Sequence, residues 1–169
     1  MKDGEGSYVK TNFSSSNPTT YRGKLKEFVE KTNSTYSAMA ECGLSLSRDL
    51  EGITSSTMGN QQLAEYNARI DSAIAAYQGS SNEFDSVKNQ LATMTPDNGF
   101  EQVQDTMIAA LTSFVDGISE ILTGLDLYKG MDGTRTDQGG VLVNSGAAHI
   151  VEGADYIKLA TQQYADAMP

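Results

Sequence analysis

His149 is the only histidine in this chain and Cys42 its only cysteine. Site chemistry must therefore rest on hydroxyls and carboxylates. A di-iron bundle needs a Glu-x-x-His motif on each of two helices, and the chain has none. Attached haem needs Cys-x-x-Cys-His, also absent. His149 stands next to Ile150, a predicted core position, and is expected at the edge of an apolar stripe. Cys42 has no partner for an internal disulfide and reads as a small apolar residue. The 17 serines include no Gly-x-Ser-x-Gly turn of the hydrolase kind. Asp116 and Glu120 are spaced i,i+4, but both lie off the apolar stripe, where like charges repel in water instead of sharing a proton. Asp132, Gly133 and Asp137 suggest a calcium loop. Counting from Asp132 puts Asp137 where the glycine belongs and Val143 where the bidentate glutamate belongs, so the pattern fails. The glycine-rich stretch 130–140 also lacks the Lys-Ser/Thr ending of a phosphate loop. No catalytic, cofactor-binding or metal-ligating residue is assigned, no cofactor is expected, and the chain is expected not to be an enzyme.

The remaining polar chemistry depends on which elements carry it. From about 19 to 53 the apolar stripe is Leu25, Val29, Thr32, Tyr36, Met39, Gly43, Leu46, Leu50 and Ile53, in alternating steps of four and three. That heptad spacing keeps one helix face against a partner. From about 58 to 95 the stripe is Leu63, Tyr66, Ile70, Ala73, Tyr77, Ser80, Phe84, Val87, Leu91 and Met94. Its phase is unbroken across Gly79, which predicts one continuous helix despite a residue costing about 1 kcal/mol against alanine. Pro96 breaks the chain, and Asn98 with Glu101 has capping-box spacing for a third helix over about 99–129. Phe100, Met107, Leu111, Phe114, Ile118, Ile121, Leu125 and Tyr128 are its stripe, broadened by Val103, Ile108, Val115 and Leu122. Residues 130–140 are expected to be the longest connection. A fourth helix is expected to start between 138 and 145, with Val143, Ala147, Ile150, Ala154, Ile157, Thr161, Tyr164 and Met168 inward. Its two alanines imply a close neighbour.

No segment alternates with period two for long enough to make a strand. Short connections at 54–60 and 95–98 force antiparallel neighbours. The fold class is thus all-α, an elongated up-down-up-down four-helix bundle. It occupies residues 18–169, behind a flexible N-terminal tether at 1–17 rich in Gly, Ser and Asn. Counting heights along the helices places Tyr36 near Tyr77, with Thr32 and Ser80 about one turn away and Gly117 at the same level. Thr32, Tyr36, Tyr77, Ser80 and Gly117 are the candidate lining of a small mid-bundle ligand pocket. The competing expectation is that the hydroxyls pair internally.

The formal charge is −10, and Ser and Thr together number 32. Residues 98–129 carry −4 and residues 137–168 carry −3. That field repels nucleic-acid phosphates and anionic headgroups, and suits a basic protein partner. No uninterrupted apolar run reaches membrane length, and no apolar run follows Met1-Lys2-Asp3-Gly4, so neither a transmembrane segment nor a signal peptide is expected here. The hydroxyl-rich, lysine-poor surface is compatible with a secreted or cell-surface protein, and a removed lipoprotein anchor would leave no trace. Three functions are compatible with this pattern. The first is a non-catalytic helical binding module, extracytoplasmic or at the cell surface in preference to cytoplasmic, for a protein or small-molecule partner. The others are a structural spacer or homo-oligomeric assembly subunit, with Phe28, Ile108 and Val115 as contacts, and the extracytoplasmic ligand-sensing domain of a larger receptor.

Overall fold

A computed structural model describes residues 20–50 and 59–168. The expected tether at 1–17 and most of the first turn lie outside the described residues. Four long helices form: α1 (Tyr21–Leu50), α2 (Asn60–Ala92), α3 (Glu101–Tyr128) and α4 (Gly133–Asp166). At about 1.5 Å per residue they run roughly 42–51 Å. Contacts join α1 to α2, α2 to α3 and α3 to α4, as the antiparallel order requires. There is no strand among the described residues.

Each helix begins for a local reason, and two of the reasons differ from expectation. Thr20 caps α1, its Oγ1 accepting from the Gly23 N–H at 3.1 Å, which satisfies one of the orphan donors of the first turn. α2 runs through Gly79 without interruption, as the heptad phase predicts. The Asn98–Glu101 capping box does not form. The N-cap of α3 is Phe100, without a side-chain cap, and Glu101 instead accepts from the Gly99 N–H at 2.9 Å. Burial decides the matter: Phe100 is fully enclosed, with Tyr21 and Tyr164 edge-on to its ring at 6.2 and 5.3 Å and the Arg22 guanidinium 4.7 Å above it.

The larger correction concerns 130–140. Only a single 3₁₀ turn, Lys129–Met131, separates α3 from Asp132, which caps α4 by accepting from the Arg135 N–H at 3.1 Å. Helix α4 starts at Gly133, earlier than the 138–145 expected, so Gly139 and Gly140 are helical. Gly139 lies there because α3 and α4 pack backbone to backbone. A Cβ on Gly139 would sit 2.6 Å from the Gly124 carbonyl oxygen, one on Gly117 would sit 2.6 Å from that of Gly146, and one on Gly153 would sit 3.0 Å from that of Ala110. Small residues thus meet every seven positions: Ala110, Gly117 and Gly124 against Gly153, Gly146 and Gly139.

The glycine seam rotates α4 away from the stripe expected for it. Gly139, Gly146, Gly153, Ile157, Ala160 and Tyr164 are its buried positions, whereas Val143, Ile150, Ala154 and Thr161 are half-buried and Ala147 is exposed. The expected close approach exists, but glycines carry it in place of Ala147 and Ala154. Helix α3 lies at the centre, with Met107, Leu111, Phe114, Ile118 and Leu125 almost wholly enclosed. Glu101–Met131 would by length and composition alone also suit a membrane span, with a mean hydropathy of 1.4 in its most apolar window, which qualifies the expectation of none. Here its apolar faces are covered by α2 and α4.

Candidate functional site

The two ends of the bundle differ. At the end holding the start of α1, the Tyr21 hydroxyl donates to Gln104 Oε1 at 3.0 Å, and Gln104 Nε2 donates to the Met94 carbonyl at 3.1 Å. Burial, then the charges of Asp97, Glu101 and Asp105, push the Tyr21 phenol up to about 12. Arg22 adds an ion pair with Asp97 at 3.4 Å and a hydrogen bond to the Met168 sulfur at 3.7 Å. That end is closed by aromatic and polar contacts reaching across all four helices.

At the other end α1 and α4 stand apart. Leu46 and Leu50 of α1 belong to the heptad stripe, yet both are only half-buried. Val143 and Ile150 of α4 are in the same state. Between the helices opens a cavity of about 740 Å³. Its rim carries Ser47 from α1 and Ala147 from α4, both exposed, and its floor is Ile121 and Leu125 of α3. Tyr66 and Tyr77 of α2 and Tyr128 of α3 supply its phenols. None of the thirteen lining side chains carries a formal charge.

Of the five residues expected to line a pocket, Tyr77 alone lines this cavity. The direction of helical side chains explains why counting heights does not bring Tyr36 and Tyr77 to one chamber. Helical side chains lean toward their own N-terminus. Tyr36 on α1 and Tyr77 on antiparallel α2 therefore lean opposite ways. The Tyr36 ring meets Phe114 at 5.7 Å, and Phe114 stacks on Phe84 at 4.8 Å. Aromatic rings thus fill the middle layer. The Tyr77 hydroxyl lies instead against Gly43, 2.8 Å from where a Cβ there would stand. Gly117 leaves no void, because the Gly146 backbone occupies the space. Ser80 donates to the Ala76 carbonyl at 3.3 Å, whereas the buried Thr32 Oγ1 has no partner.

The other chemical groups are dispersed. His149 lies on the half-exposed α3–α4 surface, with Nε2 3.7 Å from Glu120 and Nδ1 3.5 Å from Glu152. No group of three or more His, Cys, Asp or Glu side chains is arranged to hold a metal ion among the described residues. Cys42 is a free, half-buried thiol, raised in pKa by burial, the reverse of what an activated nucleophile needs. Asp132 is occupied in capping α4 and Asp137 is exposed on that helix. The described residues form a small all-helical domain without evident catalytic machinery. Sequence reasoning missed the cavity because its cause, the glycine repeat of α3 and α4, was divided between a supposed loop and a polar face. Glycine at every seventh position from 139 to 153 was the available signal. Comparisons with protein families, curated proteins and solved structures find no match to this chain.

Proposed function

We propose that this chain is a non-catalytic helical binding domain, and that its ligand enters the cavity between the far halves of α1 and α4. The open cavity carries this reading. A bundle that needed only to be a spacer would gain by closing its helices over Leu46, Leu50 and Val143, since each exposed apolar area forgoes about 25 cal/mol per Å². Its volume falls within the roughly 300–1,000 Å³ of small-molecule sites. Its length supports the same choice: the lining spans Gly43 to Leu50 on α1, only about two helical turns, short for seating a partner helix.

The test uses the chain's own optics. It has eight tyrosines and no tryptophan, so a ligand beside Tyr66, Tyr77 and Tyr128 changes a share of the tyrosine emission that their Phe variants identify. A small-molecule library is screened by thermal shift and each hit is titrated by tyrosine fluorescence. Ala147→Phe and Ser47→Phe plug the rim from exposed positions without touching the core. Hits should lose at least tenfold in affinity to these variants while the variants melt with the parent. Hits that bind both plugged proteins unchanged would place the site elsewhere.

Homotypic assembly is the second reading, and α4 supplies its observation. Val141, Val151 and Leu159 are exposed on the side of α4 away from α3, at 69%, 61% and 47%. The contacts first expected are less suitable, since Phe28 is buried and Ile108 and Val115 are half-buried. Light scattering over a concentration series tests it, and a strict monomer at millimolar concentration would end it. The hydroxyl-rich, lysine-poor composition supports an extracytoplasmic compartment in this proposal.

A further inference from the structure

Among the described residues, the cavity wall is apolar except at a few hydroxyls, and the protein supplies no hydrogen-bond partner to its phenols. Tyr66 and Tyr77 are more than nine-tenths buried, and both line the cavity with Tyr128. Among the described residues, no protein group makes a hydrogen bond to any of the three phenols. Thr136 also lines the cavity, and its buried Oγ1 is without a partner. Among the described lining residues, Thr136 alone has an enclosed oxygen left unpaired, at a cost on the order of 1–3 kcal/mol; the three phenols, bonded to no protein group, open onto the chamber and can donate to whatever fills it. Resting on the reading that this cavity is the binding site, we infer that its ligand is an uncharged molecule with an apolar body and carbonyl, ester or ether oxygens that accept from Tyr66, Tyr77 and Tyr128.

Neutrality follows from the lining. Among the described lining residues a ligand cation would find no carboxylate and a ligand anion no lysine or arginine, so a charge brought against them would go unpaired at high cost. The phenols stay donors. Burial raises the pKa of Tyr66, Tyr77 and Tyr128 alike, which keeps each protonated to higher pH than free tyrosine. The apolar body follows from Leu46, Leu50, Ile121, Leu125 and Val143, which bring no polar atom to the wall.

The experiment compares three probes of one shape by calorimetric titration of the whole chain. They are 9-fluorenone, with one carbonyl; fluorene, the hydrocarbon; and 9-fluorenecarboxylate, the anion. Fluorenone is expected to bind about tenfold more tightly than fluorene, the upper value for one hydrogen bond, and the carboxylate more weakly than either. The Tyr66→Phe/Tyr77→Phe/Tyr128→Phe variant should lower fluorenone affinity to that of fluorene and leave fluorene unchanged. Single Phe variants stand in where the triple variant fails to fold. Fluorene binding as well as fluorenone, or the carboxylate binding best, would overturn the inferred ligand class while leaving the cavity as a site. Binding by none of the three, or binding indifferent to Ala147→Phe, would overturn the binding reading itself.

Discussion

Two glycine-to-alanine substitutions should move stability in opposite directions, because only one of the glycines is a contact. Gly79 lies inside α2, and an added methyl there would have nothing within 4 Å. Alanine at this position should gain the helix-propensity difference of about 0.5–1 kcal/mol. Gly117 gains the same propensity but meets a wall. Its Cβ would lie 2.6 Å from the Gly146 carbonyl oxygen and 3.0 Å from His149 Cβ. The first neighbour is backbone and cannot swing aside. Relief to an ordinary contact needs α3 and α4 to part by roughly 0.5–1 Å, which forfeits a quarter to a half of each dispersion contact along the seam. With tens of atom pairs at about 0.1–0.2 kcal/mol each, the loss exceeds the propensity gain. The net cost of Gly117→Ala should fall in the usual overpacking range of about 1–3 kcal/mol. Urea melts followed by circular dichroism give both values. For a chain of this size, Tm should rise by about 1–4 °C in Gly79→Ala and fall by at least about 2 °C in Gly117→Ala. Equal or greater stability of Gly117→Ala would refute the glycine seam.

Three further outcomes follow from particular contacts. The Tyr21 phenol, held at about 12 in the folded chain, titrates near 10 when unfolded, so the folded state keeps a proton that the unfolded state loses. The contribution of Tyr21 to stability should be constant below pH 10 and be lost as pH rises from 10 through 12. Tyr21→Phe should weaken that loss and remove the highest step from a tyrosinate absorbance titration. Ile118→Asp places a carboxylate at a fully enclosed position and should abolish the cooperative melt; a variant melting like the parent would take Ile118 out of the core. Gly43→Ala puts a methyl 2.8 Å from the Tyr77 hydroxyl, a flexible tip, so its stability should change by less than about 1 kcal/mol while tyrosine emission shifts.

What the sequence disclosed follows from which interactions are periodic. Heptad steps in each of four segments gave the all-α bundle, and unbroken phase across Gly79 gave the continuity of α2. Both rest on apolar side chains seeking one face. The α4 boundary was hidden because glycine has two meanings. Gly139 and Gly140 have turn composition, yet Asp132 caps a helix ahead of them. Gly139 is a contact made by having no side chain, which hydrophobic periodicity does not register. Phe100 replaced Asn98 as the helix start because burying a ring outweighs one exposed cap of about 1 kcal/mol. The pocket candidates had a different obstacle. Backbone counting put Tyr36 and Tyr77 at one height, but on antiparallel helices their side chains lean apart.

The seam and the cavity are one feature seen from two sides. Helix α4 offers α3 its glycine face, and the two backbones approach as closely as carbonyl oxygens permit. A helix held that close to one neighbour cannot also reach across to α1. Its branched residue Val143 is left at the edge, half-buried, lining the gap. At the opposite end the rings of Tyr21, Phe100 and Tyr164 form a continuous chain of contacts from α1 to α4, so the bundle closes there, whereas the cavity opens from Gly43 onward. Forcing α4 off α3 should therefore alter the cavity as well as the stability. Gly124→Ala, whose methyl would stand 2.7 Å from the Gly139 carbonyl and 2.8 Å from a Val143 methyl, acts at the level of the cavity floor. It should weaken probe binding more than Gly153→Ala, which strains the seam near the closed end. Equal effects on binding at matched loss of stability would separate the cavity from the seam.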